Sequence, residues 1–306
     1  MDTVRQFPPD TLIAMEACAT SHYWGRTFQS MGFLVRIIPT QHVNALTRHQ
    51  KNDANDALAI CEAALRPGIH FVAIKTVGQQ DIKALRIARQ LMVEQRTATA
   101  NQARALAAEQ GIELPVGIHL LQQRLPDIIE DPAQVISPVL RQLLFSLLET
   151  IHLLNERIRS TEHHIAALCQ QQPKYKTLMT IPGVGPLIAA AFLSEVNAEQ
   201  FTHGRQLSAW CGLVPRQRSS GGKNSLSSMT KNGNRDLRTL IIHGARSVMH
   251  WVHRRHDAMG NWLKQLTERR GKMKTIVALA NKLTRIIWRL LTASTDFNMS
   301  KAFAMN

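Results

Sequence analysis

Cysteine is scarce and dispersed. Cys18, Cys61, Cys169 and Cys211 are the only four in 306 residues, and no two form a C-x-x-C pair. That spacing excludes a usual zinc ribbon and fits reduced thiols in a cytosol. The opening Met-Asp-Thr-Val-Arg-Gln-Phe-Pro-Pro-Asp lacks an apolar signal core. No apolar run approaches the ~20 residues that cross a bilayer. The expectation is a soluble, cytoplasmic protein with no membrane partner. Acidic residues run short in one half only. Residues 1–172 carry 16 basic and 16 acidic side chains, whereas 173–306 carry 21 and 6, which accounts for the whole net charge of +15. A solvated helical face mixes signs, so one-sided loading points to a polyanion, and DNA or RNA is the expected partner.

The chain is long enough for more than one core. Residues 11–17 read as a short buried strand ending near a carboxylate, Glu16. A helix is expected from Ser21 to Met31, stopped by Gly32, and a second strand over Phe33–Ile38, closed by Pro39. Strand–helix–strand order predicts a parallel α/β layer. From 54 to 66 the pattern turns helical, with Ala57, Ile60, Cys61 and Ala64 on one face. Neither glycine nor proline occurs from Gln79 to Glu109, and residues 138–170 repeat that behaviour after Pro138, with leucine and isoleucine at helical spacing. Two long helices joined by a Pro/Gly-rich connection at 111–138 predict an antiparallel hairpin or coiled-coil arm. The expected division is 1–78 (α/β), 79–172 (helical arm) and 173–306 (basic, mostly helical, ending in an amphipathic helix near 274–291).

Candidate chemistry falls in three places. Glu16 at a strand end, with Asp53 and Asp56 one helical turn apart, offers oxygen ligands of the kind that hold Mg²⁺ at a phosphodiester. The competing reading of the two aspartates is helix-start capping. Ile181-Pro182-Gly183-Val184-Gly185 resembles a helix–hairpin–helix turn whose Gly183 and Gly185 amides suit a phosphate. Arg216, Arg218, Ser219, Ser220, Gly221, Gly222 and Lys223 form a predicted loop in which a serine among cations could attack phosphorus. Lys231, Arg238 and Arg246 extend the basic surface. His250, His253 and His256 are expected on a phosphate-facing helix.

Several ordered motifs run through the chain: Met-Glu-Ala-Cys, Lys-Asn-Asp-Ala-Asn-Asp-Ala, Ile-Pro-Gly-Val-Gly-Pro, Gly-Leu-Val-Pro-Arg-Gln-Arg-Ser-Ser-Gly-Gly-Lys, His-Gly-Ala-Arg and Val-Ala-Leu-Ala-Asn-Lys. Together they resemble the DEDD-type insertion-sequence transposases, the family that includes the Piv DNA invertases. The resemblance implies a partial RuvC-like (RNase H-fold) domain, a coiled-coil arm and a C-terminal transposase domain. It implies that Glu16, Asp53 and Asp56 are the second, third and fourth members of a Mg²⁺-binding tetrad. Ser220 is the implied nucleophile forming a covalent phosphoserine link to DNA, with Ser219 as the alternative. A structured guide RNA and a homodimer or homotetramer are the implied partners. The family's first Asp has no counterpart here, because only 15 residues precede Glu16 and neither Asp2 nor Asp10 sits in a strand pattern. The expectation is a chain shortened at its N-terminus, with an exposed sheet edge and either recombinase activity or nucleic-acid binding alone. Ser-Ser-Met-Thr-Lys-Asn-Gly (227–233) also departs from the family's usual Gly-Ile-Ser-Lys-Arg-Gly-like run, with Asn232 in place of a cation.

Overall fold

Apolar runs punctuated by Gly32 and Pro39 produce the first layer. In the computed structural model, which describes residues 4–47 and 52–304, β1 (Leu12–Glu16), α1 (Ser21–Ser30) and β2 (Leu34–Ile38) follow one another. The strands pair in parallel, Leu12 opposite Leu34 through Glu16 opposite Ile38. Two short helices, α2 (Thr40–Leu46) and α3 (Asp53–Leu65), close a small core of Ile38, Val43, Ala59, Ala63 and Ala64. Asp2 and Lys51 lie outside the described residues, and Asp10 is an exposed turn residue.

Two expectations need correcting here. β1 is half-buried along its length rather than buried, and Leu34 is 56% exposed. Among the described residues this sheet has only two strands, too few to be covered on both faces. Ala57 and Cys61 face solvent, and α3 turns Ala59, Ala63 and Ala64 inward instead. Small side chains on that face let the helix lie close to β1 and β2.

The absence of helix breakers gives α4 (Val77–Ala108), started by a reciprocal capping box between Thr76 and Gln79. Its partner is α6 (Pro138–Gln170), begun by the Ser137 side chain with Pro138 in the first turn. Each helix is about 48 Å long at 1.5 Å per residue. The connection expected to be irregular contains a third helix, α5 (Ile118–Glu130), despite Pro126 in its interior. Leu121, Leu125 and Ile128 are buried on α5, and Leu121 and Leu125 pack with Ala100, Ala103, Leu144, Leu148 and Ile151 in a core at the far end of the arm. At the near end, Ile82, Ile165 and Cys169 belong to the large C-terminal core. The two long helices are therefore antiparallel and rooted in the basic region.

That region is built from α7 (Tyr175–Met179), α8 (Pro186–Glu195), α9 (Gly204–Trp210), a hairpin of β3 (Pro215–Ser220) and β4 (Lys223–Met229), then α10 (Arg235–His250), α11 (Ala258–Arg270), α12 (Lys272–Thr292) and α13 (Met299–Ala302). Phe192, Leu207, Leu237, Ile241, Leu279, Leu283 and Ile287 form its centre. All four cysteines are free. Burial pushes the Cys169 thiol up to about 11 and the Cys211 thiol up to about 12, so both stay protonated. Among the described residues the chain is mostly helical, with two small sheets.

Candidate nucleic-acid interface

The segment expected to be a loop is an antiparallel hairpin whose strands are exposed along β3 and, where described, most of β4. Gly221 and Gly222 form its two-residue turn at φ +56° and +76°. Positive φ at both positions matches the twist of the flanking strands and excludes most other residues. Ser220 pairs with Lys223, Ser219 with Asn224 and Arg218 with Ser225. Strand alternation then sorts the side chains. Over the regular part of the ladder, Ser220 shares one face with Arg218 and Lys223, and the register shifts between Pro215 and Gln217. Ser219 lies on the other, where the Gln217 amide donates to its hydroxyl at 2.9 Å. Arg216 also reaches back to the Thr230 carbonyl at 3.4 Å.

Of the remaining expected cations, Lys231 and Arg246 are exposed, but Arg238 is not. Only 9% of Arg238 is accessible, and its Nη1 donates to the Cys211 carbonyl at 3.1 Å. It braces the turn that leads from α9 to the hairpin, a packing role in place of the expected nucleic-acid contact. The three histidines do not share a helical face. α10 ends at His250, and a 3-10 turn follows over Val252–Arg254. His250 instead stands edge-on to Trp251, whose 47% exposed ring is covered by the Arg254 guanidinium at 4.6 Å. An exposed indole backed by a guanidinium is a surface on which a base can stack.

Gly183 has a packing reason of its own. Its φ is +87°, and a Cβ there would lie 2.8 Å from Val248 Cγ2 and 2.9 Å from the Gly244 carbonyl. A Cβ on Gly244 would in turn run into the Gly183 carbonyl. Two motifs 60 residues apart in sequence are thus one contact, in which the turn before α8 lies directly on the α10 backbone. Gly185 caps α8 with open space beside it. The helix preceding the turn, α7, has five residues.

The acidic residues fall on the α/β layer. Glu16 ends β1, and Asp53 and Asp56 open α3, where the Asn52 side chain caps the helix by accepting from the Asn55 amide. Asp56 is half-buried, with the Thr47 hydroxyl 3.5 Å from its Oδ1, and Asp53 is exposed. Their oxygen donors suit a hard divalent ion. Their placement does not make a closed site. Among the described residues no group of three or more His, Cys, Asp or Glu side chains converges as metal ligands.

A feature that was not legible in the sequence joins the two halves. Beyond the carboxyl ends of β1 and β2 lies a crevice of about 470 Å³, bounded by Cys18, His22, Lys75 and Lys83 on one side and Glu195 on the other. Lys75 pairs with Glu195, which also lies 3.5 Å from Lys83 Nζ and 3.7 Å from Arg86 Nη1, and Arg86 continues to Asp236. The start of α4 is therefore clamped to the C-terminal end of α8 and the N-terminal turn of α10 by paired charges. Burial lowers the Lys75 pKa, and Glu195 opposes that shift. Removing the carboxylate would strand buried cations. Glu195→Ala is expected to cost about 3 kcal/mol in a denaturant titration, whereas an unchanged midpoint would show that the clamp is idle.

His22 reports on the same crevice. Burial lowers its pKa below the ordinary 6.5, as do Lys75, Lys83 and Arg26, with Glu195 opposing. Its Nδ1 accepts the Lys75 backbone N–H at 3.3 Å, which a doubly protonated ring cannot do. A depressed folded-state pKa means the unfolded chain binds the proton more readily, so stability falls as pH drops through and below 6.5. Thermal unfolding of His22→Gln is expected to lose part of that pH dependence between neutral and mildly acidic buffer. Identical slopes for the two proteins would remove His22 as the cause.

The family described as "Transposase IS116/IS110/IS902 family" matches residues 175–259, and a DEDD-type transposase domain matches residues 1–109. A "Probable family 20 transposase" of Pseudomonas aeruginosa is 39% identical, over 97% of this chain and 88% of that protein. The "Transposase for insertion sequence element IS1111A" of Coxiella burnetii is 42% identical, over 93% of this chain and 79% of its own length. A Yersinia enterocolitica "Transposase for insertion sequence element IS1328" is 34% identical, over 95% and 86%. A DEDD-type domain implies a divalent-metal requirement. No described helix is long and apolar enough to cross a membrane. The chain belongs to the IS116/IS110/IS902 family of insertion-sequence transposases.

Proposed function

We propose that this transposase cleaves and rejoins DNA strands through Ser220, held on the cationic face of the β3–β4 hairpin. The observation that carries this reading is the sorting of the two serines, since Ser220 shares its face with Arg218 and Lys223 while Ser219 lies opposite and is engaged by Gln217. Cations beside a hydroxyl stabilise its alkoxide and the charge that develops on phosphorus. In the step, Ser220 Oγ gives up its proton and bonds to phosphorus as a backbone P–O bond breaks, and the departing sugar oxygen takes a proton. Reversal onto a new strand end completes the exchange. Glu16, Asp53 and Asp56 are the chain's own contribution to a divalent-ion site, whose oxygen ligands suit a hard ion such as the proposed Mg²⁺. Lys231, Arg246 and the Gly183 and Gly185 amides line the path of the backbone.

The test is to incubate the protein with labelled DNA carrying the element ends and Mg²⁺. A protein–DNA adduct that survives detergent denaturation is expected, and its absence would refute serine chemistry. A second reading, nucleic-acid binding without cleavage, draws on the lack of a converged carboxylate set among the described residues. It predicts salt-sensitive binding and no adduct. A structured RNA is the proposed guide, and its addition should then be required for adducts on specific ends. Assembly as a dimer or tetramer is proposed through the arm, where Val139, Leu143, Phe145 and Leu153 of α6 are exposed.

A further inference from the structure

We infer that the basic region holds a second phosphodiester-binding site, separate from the hairpin, where α9 meets α12. A cleft of about 460 Å³ opens there, lined by Arg205, Lys282, Arg285 and Arg289 together with His203 and Trp288, and by no acidic residue. Arg205, Arg285 and Arg289 are exposed, and among the described residues none of the three enters an ion pair. Elsewhere the buried cations Lys75 and Arg86 each have a carboxylate partner. Here four cations line one cleft whose own lining holds no carboxylate. Like charges held together cost free energy that a visiting anion recovers.

The cleft is built rather than incidental. Lys282, Arg285 and Arg289 are three and then four residues apart, so they share one face of α12. The Lys282 ammonium sits 4.8 Å from the centres of both the Trp262 and Phe303 rings, which fix its position. Burial lowers its pKa, and Arg285 adds to the shift. The opposing wall is equally fixed. The Ser208 hydroxyl donates to the Asn281 carbonyl at 3.2 Å, and the Asn281 amide donates to the Leu213 carbonyl at 3.2 Å. The Trp288 indole N–H bridges the carbonyls of Ala198 and Phe201 at 3.1 and 3.2 Å. Gly204 packs directly on the Arg285 backbone, which brings Arg205 of α9 up to the α12 face.

Shape and reach identify the ligand class. From Lys282 to Arg289 the helix advances about 10 Å, enough to meet more than one phosphate of a strand whose charges recur every 3.4 Å or so of axis. Three of the four cations are arginines, whose planar forks bind phosphate oxygens in pairs. An open, elongated cationic cleft suits a polymer better than a single small anion. The Leu213–Asn281 bond ties α12 to the root of the hairpin, so Arg285 and Arg289 lie one to two helical turns from that root. A strand reacting at the hairpin, or an RNA that positions it, could be gripped at both places. This inference rests on the reading that the chain handles nucleic acid.

The experiment compares wild-type protein with Arg205→Gln/Arg285→Gln/Arg289→Gln, with the matching triple lysine variant, and with Arg216→Gln/Arg218→Gln. Binding to a duplex DNA, a single-stranded DNA and a stem-loop RNA is followed by fluorescence anisotropy across a salt series. The triple glutamine variant is expected to bind about a hundredfold more weakly and to lower the salt slope by about 2–3. The lysine variant should keep the slope, which separates lost charge from lost fold. Loss confined to the DNA probes assigns the cleft to DNA, and loss confined to the stem-loop assigns it to RNA. If only the hairpin variant weakens binding, the cleft is refuted and the proposed function stands. If the wild-type protein binds none of the probes, both fall.

Discussion

Replacing Ser220 with alanine is expected to abolish covalent protein–DNA adducts, while Ser219→Ala retains them. Both positions are exposed and lie beside the same glycine turn, so the substitutions should be equally harmless to the fold. The difference arises from strand alternation. A nucleophile on the Ser220 face meets phosphorus with Arg218 and Lys223 alongside, whereas one on the Ser219 face meets it beside Gln217. Loss of a nucleophile leaves no partial route to a phosphoserine, so the expected effect on adduct yield is total. Binding of the same DNA should persist, because the neighbouring cations remain. The opposite pattern, adducts from Ser220→Ala and none from Ser219→Ala, would reassign the nucleophile. Adducts from both single variants would move it off the hairpin.

Gly244→Ala is expected to destabilise the protein, against the usual direction for such a change. At a free helical position, alanine in place of glycine gains about 1 kcal/mol. Here the added methyl meets the Gly183 carbonyl and lies 2.8 Å from Ile188 Cδ1. Backbone cannot rotate away as a side chain can, so overpacking of about 3 kcal/mol is expected, and Gly244→Val should cost more. Against a total stability of about 5–15 kcal/mol, that is a large fraction. Chemical denaturation of the two variants checks it. A stabilised Gly244→Ala would mean that the turn at Gly183 moves aside at little cost.

Much of the architecture could be read from punctuation in the chain. Gly32 ends the helix of the strand–helix–strand unit and Pro39 closes its second strand, and uninterrupted stretches gave both arm helices to within a few residues. α5 was hidden because Pro126 reads as a breaker, yet burial of Leu121 and Leu125 against the long helices outweighs one missing hydrogen bond. The hairpin was hidden for the opposite reason. Its exposed strands have no apolar alternation, and Gly221-Gly222 was the one local cue to a two-residue turn. Serine and arginine could be nominated from composition, but their faces follow only from register. Arg238 looked like its neighbours Lys231 and Arg246, and only packing shows that it points inward. Partners such as Lys75 and Glu195, 120 residues apart, or Arg205 and Arg289 meet through tertiary structure alone. Local pattern carries no trace of them.

The arm holds a further consequence in how its packing is divided. One end of the paired helices is anchored with Ile82, Ile165 and Cys169, and the other is stitched to α5 around Leu121 and Leu144. Between these anchorages the helices contact chiefly each other, so their length behaves as an adjustable spacer. Adding seven residues to each helix at matching heights would move the tip outward by about 10 Å and keep the apolar seam nearly in phase. Adding them to one helix alone would throw the seam out of step. Caliper-like geometry of this kind lets the reach of the tip drift over evolutionary time without retuning the hairpin or the carboxylates.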